Sequence, residues 1–337
     1  MKNLILLFCI FAQVFALIGA EKREAAKNKL PIQEVSYPCS FDQSEQKALV
    51  YFAQGTEPRP LVVALHTWSF TYANAKNYVA HARRHNCHLI APNFRGSNNK
   101  GNPLSMGSDA AVADIVSAVE WMKKKCAVDS DRIYLTGGSG GGFMALLMAG
   151  RHPEIWAGVS AWCPISDLKA WCIFHKGQGY GAHIIRNLKG DPRNDAAAAA
   201  EAAKRSPITY LARAKSLALD IATGIHDGHK GSVPISETLN AFNAVAAVQD
   251  RIPETDIRFM VENEKVPEGT PEFIDPSYGK RKIHYRKISG NTRVTIFEGG
   301  HTILPATSFS WMMKQRKGKP AVWKIGKSSG KAEELTK

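Results

Sequence analysis

A serine hydroxyl attacks a carbonyl only when a base takes its proton, and the base works best with an acid behind it. The run Gly137-Gly138-Ser139-Gly140-Gly141 offers the serine. It fits Gly-x-Ser-x-Gly, following a strand-like run (Arg132 to Leu135) and opening a helix-like one (Phe143 to Ala149), the setting of a nucleophile elbow. The turn must be tight for the hydroxyl to project, so residues without side chains flank it. The helix start also aims free backbone N–H groups at the same place. Two other glycine-rich motifs fail here. A phosphate loop requires Gly-Lys-Ser/Thr, but Phe143 follows Gly142. A dinucleotide fingerprint drawn through Gly140, Gly142 and Ala145 lacks the acidic residue expected about 20 positions on. On the motif alone, a plain glycine-rich turn stays open.

The base and acid are sought downstream, because the chain order in this arrangement is serine, acid, histidine. Of the histidines after Ser139 (152, 175, 183, 226, 229, 284 and 301), only His301 comes just past a strand-like run, in Phe297-Glu298-Gly299-Gly300-His301. The acid belongs after the preceding strand, Leu217 to Thr223, where Asp227 stands in His226-Asp227-Gly228-His229. Asp167, one strand earlier, is the alternative, and Asp220 within the strand reads as structural. His226 and His229 do not have the spacing of a metal motif, and neither a metal nor a cofactor is expected. An oxyanion needs two N–H donors. Gly140 supplies one, and the loop after Leu61–Leu65 supplies the other, from Trp68 or alternatively Thr67.

These residues need elements to position them. Val35–Phe41, Ala48–Phe52, Leu61–Leu65, His88–Pro92, Arg132–Leu135, Ala157–Trp162, Leu217–Thr223 and Arg293–Phe297 read as strands. Helical spacing falls between many of them, at Tyr72–Arg84, around Val112–Val119, at Phe143–Ala149 and at Ser236–Val248, with a last helix at Thr307–Lys314. Such alternation implies an α/β fold with a mostly parallel sheet covered on both faces, and a site at the carboxyl ends of its strands. Residues 169–204 read as irregular, and 251–291 as an inserted hairpin or arm.

Lys2 followed by an apolar stretch from Leu4 to Ile18 and then Gly19-Ala20 has the layout of a secretory signal peptide over residues 1–20. A catalytic domain over 21–316 and a basic tail over 317–337 complete the expected organisation. No stretch after Ala20 is long and apolar enough to span a bilayer, so stable membrane insertion is not expected. A secreted or periplasmic location is. Export would expose Cys39, Cys87, Cys126, Cys163 and Cys172 to an oxidising compartment, with Cys163–Cys172 the first choice for a pair. The formal charge of +14 favours polyanionic partners. An acidic polysaccharide ester suits that charge; nucleic acid is not expected.

Further motifs carry a resemblance. Leu65-His66 after an apolar strand, Asn93-Phe94-Arg95-Gly96, Asp131-Arg132-Ile133, Arg205-Ser206-Pro207 and Val233-Pro234 occur in an order that resembles the catalytic domain of prolyl-oligopeptidase-like α/β-hydrolases and related secreted carbohydrate esterases. The resemblance implies the α/β-hydrolase fold and a triad of Ser139, Asp227 and His301, with oxyanion donors at Gly140 and Thr67–Trp68. Two departures stand out. Gly228 to Ser232 lengthen the loop between the acid and Val-Pro, and too few residues precede the first strand for the β-propeller of the oligopeptidases. The expectation is a secreted carboxylic ester hydrolase of carbohydrate-esterase type, acting on a small-molecule or polysaccharide ester. The alternatives are a peptidase of the same family without a propeller and, more remotely, a non-catalytic polysaccharide-binding protein.

Overall fold

The computed structural model describes residues 32–324. The signal peptide expected at 1–20 and positions 325–337 of the basic tail lie outside the described residues. Strands β1 (Gln33–Pro38), β2 (Glu45–Tyr51), β3 (Arg59–Leu65), β4 (His88–Pro92), β5 (Val128–Gly138), β6 (Gly158–Trp162), β7 (Leu219–Gly224), β8 (Ile283–Ser289) and β9 (Thr292–Phe297) form one sheet. Their order is β1-β2-β4-β3-β5-β6-β7-β9-β8. From β4 through β9 neighbouring strands run parallel, while β2 and β8 pair antiparallel at the flanks. This is the mostly parallel sheet that the alternation of elements predicts, in the α/β-hydrolase fold that the resemblance implies. The described residues from Glu34 on form one compact unit.

Parallel neighbours need crossovers, and helices supply them. They are α1 (Lys76–His85), α2 (Asp109–Lys125), α3 (Gly140–Arg151), α4 (Leu168–Phe174), α5 (Tyr180–Leu188), α6 (Ala196–Arg205), α7 (Ile235–Val245) and α8 (Glu254–Asn263), while α9 (Pro305–Met312) follows the last strand. The sheet buries both faces, so Leu61, Val62, Val63, Ala64 and Leu65 of β3 are all buried, which is why the run is wholly apolar. Every residue of α3 from Gly140 to Gly150 is buried as well. The helix that follows Ser139 is thus gripped on all sides.

Two segments differ from expectation. Residues 169–204 are not irregular but fold into α4, α5 and α6, of 7, 9 and 10 residues. Helices this short draw their stability from tertiary packing and caps more than from periodicity. Asp167 accepts from the N–H groups of Lys169 and Ala170, and Asp195 from those of Ala197 and Ala198. Residues 251–291, read as an inserted hairpin or arm, hold helix α8 as well as the edge strand β8, and the hairpin that β8 makes is with β9. Strand β8 is half-exposed, so it lacks an apolar run like that of β3.

Candidate active site

Ser139 stands between the last residue of β5 and the first of α3, at φ 55° and ψ −122°. A β-carbon makes that backbone costly, and surroundings that over-determine it are a mark of functional turns. Here its N–H donates to Trp162 O (2.8 Å) and its carbonyl accepts from Phe143 N (2.8 Å), which clamps the turn from both sides. Two glycines show how closely other loops approach. A β-carbon on Gly140 would lie 2.5 Å from both Trp68 N and Trp68 Cα. One on Gly138 would collide with the Ile303 side chain, two residues past His301. The loop after β3 and the loop after β9 therefore both press on the elbow.

The loop after β3 carries the expected oxyanion donor. His66, buried and stacked on Phe94 with ring centroids 3.9 Å apart, sets Nδ1 2.9 Å from Thr67 O and Nε2 3.0 Å from Asn93 O. Burial holds its pKa below the usual imidazole value against the pull of the two carbonyls. A neutral ring donates to one carbonyl at a time. In a planar trans peptide the N–H points opposite to the C=O. Thr67 O turns toward His66, so the N–H of Trp68 turns the other way, beside Gly140. Of the two residues expected to donate, Trp68 is the one whose backbone nitrogen lies against Gly140.

Asp227 and His301 meet at the ends of β7 and β9. His301 Nδ1 lies 2.7 Å from Asp227 Oδ2. Thr223 Oγ1 also donates to Oδ2 (3.2 Å), while Oδ1 accepts from Gly228 N (3.1 Å) and Val233 N (3.2 Å). The lengthened acid loop accounts for the last of these bonds. Residues 228–232 fold back over the carboxylate and bring Val233 onto it. The carbonyl of Ser232 in that loop accepts from Trp171 Nε1 (2.8 Å) and His175 Nε2 (2.9 Å), tying the acid loop to α4. Burial works against charge on His301, but the bond to Asp227, with the Cys163 sulfur beside it, raises its pKa above the ordinary 6.5. With Nδ1 committed to Asp227, Nε2 is left to accept a proton.

The alternative acid, Asp167, is instead the N-cap of α4, and Asp220 is paired with the buried guanidinium of Arg293 at 2.8 Å. His226 and His229 face carboxylates. His226 Nδ1 is 2.6 Å from Glu264 Oε2 and Nε2 is 3.0 Å from Glu298 Oε1, while Glu298 Oε2 meets His284 Nε2 at 2.8 Å. This network joins the acid loop, the histidine loop, the end of α8 and strand β8.

Two features escape the sequence reading. The five cysteines among the described residues are all free, so the expected Cys163–Cys172 pair does not form. Cys172 Sγ faces Gly181 O, whereas Cys163 Sγ donates to Thr302 O at 3.3 Å, next to His301. The signal for Cys163 was its place one residue past β6, at the carboxyl end where sites collect. The second feature is an aromatic wall beside Trp68. Trp171 meets Trp68 edge-on at 4.8 Å, and half-buried Tyr180 lies 5.1 Å from Trp171. Both come from the stretch whose helices lacked periodicity.

Residues 73–262 match the model of the prolyl oligopeptidase family. Among curated proteins, the poly(3-hydroxyalkanoate) depolymerase C of Paucimonas lemoignei is 32% identical over 111 residues, which is 30% of this chain and 27% of that protein. The mouse acylamino-acid-releasing enzyme is 27% identical over 173 residues, 47% of this chain and 22% of its own length. The chain thus spans about a quarter of the curated relatives it matches. An acylaminoacyl peptidase structure from Pyrococcus horikoshii superposes with a TM-score of 0.58 at 14% identity, covering 90% of this chain and 45% of that one. The structural likeness carries the fold, and the family match covers more than half of the sequence, including the elbow and the acid loop. The chain belongs to the prolyl oligopeptidase family of serine hydrolases.

Proposed function

We propose that the chain is a secreted carboxylic ester hydrolase of carbohydrate-esterase type, with Ser139 as nucleophile, His301 as base and Asp227 as its orienting acid. The observation that carries this reading is the 2.7 Å contact between His301 Nδ1 and the buried Asp227, on a loop pressed against the elbow. His301 Nε2 takes the Ser139 proton as the hydroxyl adds to the ester carbonyl. The N–H groups of Gly140 and Trp68 receive the developing oxyanion. His301 then protonates the departing alcohol, and water releases the acyl group by the reverse path.

Ester rather than peptide chemistry is favoured by the relative whose name gives a polyester as its substrate. The half-buried Tyr180, backed by the buried Trp68 and Trp171, suits an apolar acyl group, and the charge of +14 suits a polyanionic glycan as its carrier. A peptidase is the second reading, favoured by the acylamino-acid-releasing relatives.

Hydrolysis of p-nitrophenyl acetate measured beside aminoacyl-anilides separates the two readings. A preference for anilides would overturn the esterase. Acetylated, feruloylated and methyl-esterified glycans then define the ester. Ser139→Ala should lower kcat by about 10³-fold or more and abolish fluorophosphonate labelling. A wild type that turns over neither substrate and takes no label would point to the non-catalytic polysaccharide binder. Secretion predicts that protein recovered outside the cytoplasm begins at Glu21.

A further inference from the structure

Cys163 is a buried thiol that the proposed reaction does not use. It follows β6 at φ 45°, and its Sγ, an Asp227 carboxylate oxygen and a His301 ring nitrogen all lie within 4.8 Å of one another. Sulfur, nitrogen and oxygen converging from three separate loops make a donor set suited to a soft divalent cation. We propose that Cys163, Asp227 and His301 form an inhibitory site for one such cation, cadmium or zinc, which takes the place of the proton between His301 and Asp227.

The geometry needs only small movements. Bonds of about 2.0 Å to nitrogen and oxygen and 2.3 Å to sulfur put neighbouring donors a little over 3 Å apart. The Nδ1–Oδ2 separation of 2.7 Å must open slightly, and Sγ must move in. Thr302 O, 3.3 Å from Sγ, lies alongside as an oxygen donor. Cys163 and Asp227 are fully buried and the His301 side chain is 24% exposed, so the cation enters past His301.

The chemical consequence follows from proton balance. At a pH where His301 is neutral, before binding the thiol carries a proton and the imidazole carries one on Nδ1. On binding, the thiol releases its proton to solvent, the Nδ1 proton leaves, and Nε2 takes one up. One proton is released per cation. The imidazole stays neutral, but in the tautomer with Nε2 protonated, which cannot accept the proton of Ser139. Inhibition rests on the proposed esterase reading, whereas the binding does not. The network of His226, Glu298 and His284 is a rival cation site but contributes no sulfur.

The test is a cadmium titration of the full chain, reading the ultraviolet thiolate–cadmium charge-transfer band together with p-nitrophenyl acetate hydrolysis. In the wild type the band should grow to one cadmium per chain, with activity falling in step. Cys163→Ala should lose the band. Relative to its own metal-free rate, it should need more than about tenfold more cadmium for the same inhibition. Cys163→Ser gives a second variant with the volume nearly kept, and it too should lose the band. Ser139→Ala should keep it, so cation binding is judged even if the esterase reading fails. A band that persists without Cys163, no stoichiometric band in the wild type, or equal cadmium sensitivity in the cysteine variants overturns the proposal.

Discussion

The two sides of the site are held in different ways. On the nucleophile side, the elbow is fixed by sterics. Ser139 is clamped by backbone bonds to Trp162 and Phe143, and Trp68 packs where a β-carbon of Gly140 would be. On the acid–base side, Asp227 and His301 ride on loops cross-linked by ionisable side chains, with His226 between Glu264 and Glu298 and with His284 on Glu298. Packing is indifferent to pH and salt, whereas carboxylate–imidazole bonds respond to both. The elbow should therefore fail abruptly when a single atom is added, and the loops should fail gradually with protonation.

The largest expected effect separates chemistry from scaffold on the loop side. Asp227→Asn keeps the shape but can leave His301 in the wrong tautomer, so kcat should fall by about 10³- to 10⁴-fold. Its pH profile is informative as well. His301 must be neutral to act as a base, and Asp227 raises its pKa above 6.5, so the acid limb of kcat/KM should lie above that value in the wild type. In Asp227→Asn the limb should move down. A limb that stays in place would show that another group sets it.

Gly140→Ala tests the packed side. The new methyl group meets the Trp68 backbone, so the oxyanion donor must move. A loss of about 10²- to 10³-fold in kcat is expected, together with a lower melting temperature and no shift of the acid limb. Wild-type activity would mean that the second donor is not Trp68.

The charged state of His301 links stability to pH in the sense opposite to activity. A raised folded-state pKa contributes stability that is fully present below the ordinary 6.5 and is lost as pH climbs through the raised value. Melting temperature should thus decline over the interval in which activity rises, and Asp227→Asn should flatten that decline.

The smallest effect concerns the outer network. Glu298 is held below the usual carboxylate range first by His284 and then by His226, so its contribution is present above 4.5 and lost as pH falls through the depressed value. Glu298 is half-exposed, and Glu298→Gln should cost less than about 1 kcal/mol. Its effect should shrink further in high salt, whereas that of Gly140→Ala should not.

Ser139, Asp227 and His301 could be singled out as candidates because each comes just after a short strand-like run, β5, β7 or β9, at the carboxyl ends where sites collect. The loop expected to hold the oxyanion donor was read to two residues. The preference for Trp68 over Thr67 rests on contacts between segments, since His66 faces the Thr67 carbonyl and Trp68 N lies against Gly140. Strand β8 and helices α4 to α6 were less visible, since edge strands and short capped helices owe their stability to what they dock against.

The amino-acid sequence by itself determined the alternation of inner strands and helices and the elbow motif, because hydrophobic period and glycine placement are local properties, and its ordered motifs carried the family resemblance. Only the tertiary structure decided that Ser232 ties the lengthened acid loop to Trp171, that His226 links two carboxylates from distant segments, and that Cys163 lies free beside His301 rather than bonded to Cys172. Each of those contacts joins segments that are far apart in the sequence, and only the folded sheet with its crossovers brings them together.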